Sequence, residues 1–170
     1  MTGIAVRRIR PDEGPAFRAI RLEAIGESPT AFGSTLGETA ARPPEYWHGR
    51  ARRGAAGAES VLFAALDAER WIGVVGGFVD DSGDCRTVDL VSMWVHPEYR
   101  AQGVGRRLVE QVVTWSKERS ARRVVLWVTE GNDSAVSLYR RSGFRETGET
   151  QPHPSHPDLR ERQMVLELGS

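Results

Sequence analysis

The chain has 170 residues, of which 39% are hydrophobic and 27% are charged, and its 23 basic side chains balance its 23 acidic ones. This length suits one domain over residues 1–170, and the composition is typical of a globular protein and not of a disordered or fibrous one. The balanced charge predicts no general affinity for nucleic acid or for an anionic membrane surface.

The cysteine count and the hydropathy pattern exclude further classes. Cys85 is the single cysteine, which rules out an internal disulfide bond and a site built from several thiolates. The longest apolar run, residues 61–66, is far shorter than the ~20 residues that cross a bilayer. No signal-peptide pattern follows the arginines near the N-terminus. We therefore expect a cytoplasmic protein without a membrane span.

The first third of the chain predicts a strand and two helices. A short strand over residues 4–9 precedes a helix that opens at residues 11–13 and places four apolar side chains on one face: Phe17, Ile20, Leu22 and Ile25. Residues 30–39 show no clear period. The pair Pro43-Pro44 then begins a second helix, which we expect to continue through Arg53.

β-rich segments dominate the middle of the chain. Residues 61–66 and 71–79 predict a hairpin, and residues 87–95 predict a further strand. If this last strand alternates regularly, one face carries four side chains and the other face carries three. The first set is Asp89, Val91, Met93 and Val95, and the second is Leu90, Ser92 and Trp94.

Helices and strands alternate in the last part of the chain. Residues 103–119 have the clearest helical period, and a strand over residues 122–128 follows. Asn132 is placed to cap a helix that ends before Gly143. Strands are then expected at 144–150 and 163–168, with a loop at 151–157 between them. This order predicts an α/β (α+β) fold in which helices pack on a mixed sheet with at least one parallel strand pair.

The junction between the strand at 87–95 and the long helix carries the strongest functional signal. Residues 100–107 read Arg-Ala-Gln-Gly-Val-Gly-Arg-Arg. The two glycines leave main-chain N–H groups unshielded at the positive end of a helix dipole, which favours a phosphate-bearing cofactor. The dinucleotide fingerprint fails because Leu108 stands where its third glycine belongs, and the nucleotide P-loop fails because Arg106 replaces its lysine.

Two segments together resemble the GNAT family of N-acetyltransferases. Arg100-x-x-Gly103-x-Gly105, after the strand that ends at Val95, resembles the acetyl-CoA pyrophosphate loop of that family. Residues 132–144 resemble its Asn-x-x-Ala-x-x-Leu-Tyr-x-x-x-Gly-Phe segment. The resemblance implies a GNAT-type acyl-CoA N-acyltransferase fold, in which the parallel strands at 87–95 and 122–128 splay apart and admit acetyl-CoA.

The resemblance also implies roles for individual residues. It predicts that the loop, the end of the preceding strand and one helix cap bind acetyl-CoA through Met93, Trp94, Val95, Arg100, Ala101, Gln102, Gly103, Val104, Gly105, Arg106 and Asn132. Tyr139 aligns with the general acid of the family, and a phenol stays protonated at neutral pH. The Val95 N–H matches the position that polarises the thioester carbonyl.

The resemblance gives two different positions for the general base, because branches of the family carry it on different residues. Trp127 stands where one branch of the family carries a glutamate, so that role is vacant here. Asp89 stands where another branch carries its glutamate, and we expect it to be the base, with a water relay as the alternative. The N-terminal helices, with Phe32 and the loop around it, are expected to line the acceptor pocket, and Trp94 is a candidate wall of that pocket.

The implied function is direct transfer of the acetyl group of acetyl-CoA to a primary amine, with a small molecule as the expected acceptor. A protein N-terminal or lysine acetyltransferase and a non-catalytic acyl-CoA sensor stay open as alternatives, and so does a homodimer. A nucleic-acid-binding protein is disfavoured because no predicted helix carries a basic stripe on one side. No metal is expected, because His153 and His156 lie in a proline-rich loop with no third ligand.

Overall fold

The computed structural model describes residues 3–169, which form a seven-stranded mixed sheet. The strands are β1 (Ile4–Arg8), β2 (Ser60–Asp67), β3 (Arg70–Asp80), β4 (Thr87–Val95), β5 (Arg123–Thr129), β6 (Arg145–Pro152) and β7 (Arg160–Glu167). Their spatial order is β1-β2-β3-β4-β5-β7-β6. Neighbouring strands are antiparallel except β4 and β5, which are parallel. The predicted α/β fold with a mixed sheet and a parallel strand pair is confirmed.

Helices cover both faces of the sheet. They are α1 (Gly14–Glu27), α2 (Leu36–Ala40), α3 (Pro44–Ala56), α4 (Val104–Glu118) and α5 (Asp133–Arg141). One face packs against α4 and α5 in the larger apolar cluster, and part of the other face packs against α1 and α3 in a second cluster. Within residues 3–169, no helix is long and apolar enough to span a membrane.

The N-terminal helices depart from the sequence expectation in three places. Helix α3 continues to Ala56, because the left-handed backbone that ends it lies at Gly57, with φ of 67°. Leu22 is only partly buried, and Ala24 is fully buried instead. Helix α2 was not expected, although the Thr35 and Glu38 capping box that begins it is visible in the sequence as a Thr-x-x-Glu pattern.

The two last strands are longer than the sequence pattern predicts. The expected loop at 151–157 begins later, because Gln151 pairs with Glu161 and Pro152 pairs with Arg160. Strand β6 is the edge of the sheet, where proline can be accommodated because one side of the strand needs no hydrogen-bond partner. The connection between β6 and β7 is therefore limited to residues 153–159.

A β-bulge in β4 reverses the alternation of its side chains. Val74 of β3 is opposite Trp94 and Gly76 is opposite Val91, so residues 92 and 93 together face one residue of β3. Ser92 accordingly has a positive φ of 58°. The prediction that Asp89, Val91, Met93 and Val95 share one face is wrong, because regular alternation does not continue through the bulge.

The odd-numbered side chains of β4 consequently lie on opposite faces of the sheet before and after the bulge. Val95 belongs to the core beneath α4, and Met93 packs against the same core. Val91 instead lies near Leu62, which is in the cluster beneath α1 and α3. Asp89 precedes Val91 by two residues in the regular part of the strand and shares its face.

We predict that Trp115 is a main source of stability in the larger core. Its ring is 1% exposed, and its indole N–H donates a hydrogen bond to the carbonyl of Gly57 at 2.8 Å. Trp115→Ala should lower the free energy of unfolding by about 3–5 kcal/mol through loss of packing. Trp115→Phe, which loses mainly the hydrogen bond, should cost about 1–2 kcal/mol in urea unfolding followed by circular dichroism. Equal decreases in the free energy of unfolding for the two variants would contradict this division between packing and hydrogen bonding.

Candidate active site

The parallel strands β4 and β5 separate after a short ladder. Only three residue pairs join them, the last being Asp89 with Val125. Beyond this pair, β4 continues beside β3 to Val95 and β5 continues beside β7 to Thr129. A cavity of about 820 Å³ opens where the two strands part, with residues of α4 and α5 in its wall.

Most of the residues proposed for cofactor binding line this cavity. They are Met93, Trp94, Val95, Arg100, Ala101, Gly103, Gly105, Arg106 and Asn132, and the cavity wall also contains Tyr139. Two expected residues do not line it. Val104 is buried in the core beneath α4, and the Gln102 amide donates a hydrogen bond to the carbonyl of Glu98 at 3.2 Å.

The loop before α4 presents a row of free main-chain donors to the cavity. Ala101 and Gly103 both have left-handed backbone, with φ of 62° and 82°. Within residues 3–169, the N–H groups of residues 101–106 have no hydrogen-bond acceptor. A side chain at Gly105 would approach Leu138 and Met93 to about 3.1–3.2 Å, so glycine keeps this wall open. Unpaired donors at the start of a 15-residue helix are suited to a diphosphate.

The Arg100 guanidinium is held within the fold. Its Nε donates to the carbonyl of Val95 at 2.8 Å, and its Nη2 donates to Glu27 Oε2 at 3.1 Å. Trp94 Nε1 donates to the same carboxylate oxygen at 3.0 Å, and the Ser28 hydroxyl also donates to Glu27. Burial favours a raised pKa for Glu27, but these hydrogen bonds lower it to about 2.

Arg106 is also engaged with a neighbour in its own chain. Its Nε donates to Glu110 at 3.1 Å across one turn of α4, and both side chains are exposed. Arg100 and Arg106, the two arginines of this loop that line the cavity, are therefore both ion-paired within the chain. The structure instead leaves the main-chain N–H groups as the donors without partners.

Tyr139 projects from α5 into the same cavity. It is 6% exposed, and its ring makes an edge contact with Phe144 at 5.8 Å between centroids. Burial raises the pKa of its phenol further above the ordinary value, so the hydroxyl is protonated throughout the neutral range. Asn132 caps the same helix, because its side chain accepts a hydrogen bond from the Ala135 N–H at 3.4 Å.

Comparison with known proteins identifies the family. The sequence profile of the acetyltransferase (GNAT) family matches residues 25–144, which include both loops of the cavity. The chain belongs to the GNAT acetyltransferase family. The structure of yncA from Salmonella typhimurium, solved with acetyl-CoA, has the same fold. It superposes with a TM-score of 0.77 at 19% identity, and the match covers 99% of this chain and 96% of that one.

Two curated GNAT relatives carry different names for their activities. N-alpha-acetyltransferase 30 of Schizosaccharomyces pombe is 34% identical over 83 residues, which are 48% of this chain and 55% of the relative. Mycothiol acetyltransferase of Clavibacter sepedonicus is 27% identical over 144 residues, which are 85% of this chain and 43% of the relative. The matches to curated relatives span from 26% to 55% of the relatives' own lengths.

Ser28 and Ala31 form the far wall of the cavity that contains Tyr139. A buried histidine, His153, holds this wall in place. The Thr30 carbonyl accepts hydrogen bonds from Thr129 Oγ1 at 2.6 Å and from His153 Nε2 at 2.9 Å. Phe32, expected in the pocket wall, is instead buried in the cluster beneath α1 and α3.

The surroundings of His153 determine which ring nitrogen carries the proton. His153 is 2% exposed, and its Nδ1 accepts from the N–H groups of Ser155 and His156, both at 3.1 Å. Nε2 must therefore be the protonated nitrogen that donates to Thr30. The Ser155 hydroxyl adds a hydrogen bond to the Gly33 carbonyl. The sequence pattern suggested only a metal ligand as a special role for this histidine, and it gave no indication of the bond to Thr30. Within residues 3–169, no group of three metal-binding side chains occurs.

Asp89 lies outside the cavity that contains Tyr139. It lines a second cavity of about 610 Å³ on the sheet face that it shares with Val91. Burial and the nearby Asp80 carboxylate raise the pKa of Asp89 to about 6. The structure therefore brings Tyr139 together with the cofactor loop, but it does not place Asp89 in the same cavity.

We predict that His153 stabilises the wall formed by residues 28–31. His153→Ala removes the donor to Thr30 and leaves two partly buried N–H groups without their acceptor, which should lower the free energy of unfolding by about 2–3 kcal/mol. His153→Gln keeps an amide donor and should recover part of this loss. His48→Ala, a change at an exposed histidine, is the control and should cost under about 0.5 kcal/mol. Urea unfolding measures all three, and similar values for His153→Ala and His48→Ala would refute the role.

Proposed function

We propose that this protein transfers the acetyl group of acetyl-CoA directly to a primary amine, with a small molecule as acceptor. The observation that carries the proposal is the row of unpaired main-chain N–H groups at residues 101–106, which opens onto the cavity that contains Tyr139. Family membership and the acetyl-CoA in the yncA structure support it.

The arrangement of the cavity supports one orientation of the cofactor. The N–H groups of residues 101–106 would hold the diphosphate at the positive end of α4. Main-chain groups of residues 93–95 lie along the gap that β5 leaves open, where they would hold the pantetheine arm as an added strand. Asn132, at the start of α5, lies on the same gap. Gln102 and Val104 would contribute through their main chain alone.

Acetyl-CoA, when bound, supplies the acetyl group as a thioester. The amine nitrogen bonds to the acetyl carbon, the carbon–sulfur bond breaks, and the Tyr139 hydroxyl donates its proton to the departing sulfur. The Val95 N–H would donate a hydrogen bond to the carbonyl oxygen as negative charge develops there. The proton that the amine loses passes to a base, which releases it to water while Tyr139 regains a proton from water. The products are an amide and a free thiol.

We propose Asp89 as that base. Its raised pKa of about 6 still leaves it ionised at neutral pH and makes it a better proton acceptor than an ordinary carboxylate. A water relay is the second candidate, and it is favoured by the position of Asp89 outside the cavity that contains Tyr139.

Two observations bear on the acceptor. The mycothiol acetyltransferase match extends over 85% of this chain, which supports a small-molecule acceptor. The higher identity to N-alpha-acetyltransferase 30, over a shorter segment, favours a protein N-terminus as the second candidate. A panel of small amines and N-terminal peptides, with release of free CoA as the readout and mass spectrometry of the products, distinguishes the two. Acetylation of peptides alone would overturn the small-molecule proposal.

We predict that Tyr139→Phe lowers kcat by about 100-fold, because the proton donor to the sulfur is lost. The Kd for acetyl-CoA, measured by calorimetry, should change by less than about twofold, since the ring and its packing on Phe144 are retained. Ser137→Ala, a change at another residue of the cavity wall on α5, should alter kcat by less than about threefold. An unchanged kcat in Tyr139→Phe would remove the acid role.

We predict that kcat falls with unit slope below about pH 6, where Asp89 becomes protonated. Asp89→Asn should lower kcat and abolish this acidic limb, while Asp81→Asn, outside both cavities, should retain it. A pH profile of Asp89→Asn that matches the unmodified protein would favour the water relay.

The raised pKa of Asp89 also affects stability. The Asp89 carboxyl group is harder to ionise in the folded protein than in the unfolded chain, so it favours the folded state only while it is protonated. The free energy of unfolding therefore decreases as the pH rises through about 6. Asp89→Asn should therefore raise the melting temperature at pH 8 by about 2–4 °C, which corresponds to about 1 kcal/mol after allowance for partial exposure. At pH 4 the difference should disappear.

A further inference from the structure

The carboxylate of Glu27 joins three segments that surround the cavity containing Tyr139. Trp94 Nε1 and Arg100 Nη2 donate hydrogen bonds to its Oε2 at 3.0 and 3.1 Å, and the Ser28 hydroxyl donates to the same oxygen. These donors belong to β4, to the loop before α4 and to the wall at the end of α1, and all three residues line the cavity. One carboxylate oxygen therefore fixes side chains from three parts of the chain relative to one another.

The main-chain groups of Val95 are directed toward the gap between β4 and β5. The His96 N–H donates to the Ile72 carbonyl at 2.8 Å, and the preceding pair of the ladder is Val95 with Gly73. Hydrogen-bonded and non-hydrogen-bonded pairs alternate in an antiparallel ladder, so the N–H and the carbonyl of Val95 point away from β3. That direction is the side from which β5 has separated.

Arg100 and Trp94 hold the main chain on the two sides of the Val95 N–H. Arg100 Nε donates to the Val95 carbonyl at 2.8 Å, so this carbonyl is engaged and the N–H is the group that faces the bound thioester in the proposed reaction. The Trp94 side chain, which is 4% exposed, is fixed by its bond to Glu27. Glu27 thus closes a ring of contacts around the peptide group that carries the Val95 N–H.

Glu27 keeps its negative charge throughout the pH range of an enzyme assay. Burial alone would raise the pKa of its carboxyl group, but the hydrogen bonds from Arg100, Ser28 and Trp94 lower it to about 2. An ionised carboxylate holds the guanidinium of Arg100 more firmly than a neutral amide does, because a hydrogen bond between charged partners is shorter and stronger. The Glu27 side chain is 32% exposed, so we expect the ion pair to contribute more to geometry than to stability.

We propose that Glu27 is a positioning residue, whose carboxylate holds Arg100 and Trp94 so that the Val95 N–H is directed at the carbonyl oxygen of the bound thioester. The inference rests on the proposed acetyl transfer, in which this N–H stabilises the negative charge that develops on that oxygen. Because the charge develops only in the transition state, a misdirected N–H should lower kcat more than it weakens acetyl-CoA binding.

Kinetic measurements on two variants test the role of Glu27. Glu27→Gln keeps an oxygen for the Trp94 N–H but loses the charge, and should lower kcat about fivefold, while Glu27→Ala should lower it about 30-fold. The Kd for acetyl-CoA, measured by calorimetry, should change less than about threefold in both variants. The matched control is Glu23→Gln on the same helix. The Glu23 carboxylate lies 3.5 Å from His96 Nε2, directly after Val95, and its loss should alter kcat by less than about twofold.

Two kinetic outcomes would overturn the proposal: an unchanged kcat in both Glu27 variants, or a loss of acetyl-CoA affinity as large as the loss in kcat. Glu27→Gln preserves the size of the side chain, so it carries the test if circular dichroism shows that Glu27→Ala does not fold.

An infrared measurement distinguishes orientation of the Val95 N–H from a general loss of packing. The carbonyl stretch of acetyl-CoA labelled with ¹³C at the carbonyl carbon moves to lower frequency when a hydrogen-bond donor polarises the bond. In the complex with acetyl-CoA alone, we expect this shift to be at least halved in Glu27→Ala, intermediate in Glu27→Gln and unchanged in Glu23→Gln. An equal shift in all four proteins would refute the positioning role.

The infrared measurement needs no amine, which keeps this inference separate from the proposed function. If the carbonyl shift depends on Glu27 but no amine is acetylated, the proposed function fails and the positioning role stands. If amines are acetylated and neither kcat nor the carbonyl shift depends on Glu27, the positioning role fails and the proposed function stands.

Discussion

The early end of the β4–β5 ladder is the constraint from which the rest of the site follows. A parallel pair that continued to the ends of both strands would satisfy its main-chain groups and close the sheet. Here each strand is held by its antiparallel neighbour on the outer side, β3 for β4 and β7 for β5, while the inner edges separate after Asp89 and Val125. The separation creates a cavity between α4 and α5 and leaves polar main-chain edges available to a ligand.

The bulge at Ser92 divides the chemistry between the two faces of the sheet. By inserting one extra residue opposite β3, it directs Met93 and Val95 toward α4, while Asp89 and Val91 remain on the opposite face. The side of the sheet with the free loop donors and Tyr139 thus becomes suited to a phosphate-bearing thioester. The other face carries Asp89 and the second cavity. A single backbone irregularity therefore determines which side chains of β4 face the cavity that contains Tyr139.

Features that depend on neighbouring residues could be predicted from the sequence, whereas features that depend on distant pairing could not. The cap at Asn132, the terminating Gly143 and the glycines before α4 follow local rules and were placed correctly. The bulge could not be predicted, because it is defined by the register between β3 and β4. The bonds from Arg100 to Glu27 and from His153 to Thr30 join residues 73 and 123 positions apart, and no local pattern indicates such contacts.

The ion pair between Arg100 and Glu27 connects two regions that would contact different substrates. Arg100 begins the loop of free N–H donors, while Glu27 ends α1 and accepts from Ser28, a residue of the opposite cavity wall. A ligand that draws the Arg100 guanidinium toward itself weakens the ion pair with Glu27. Conversely, a change at the wall residue Ser28 changes the position of Glu27 and therefore that of the guanidinium. Thermodynamic linkage then makes the two binding events cooperative or antagonistic by the same factor in both directions.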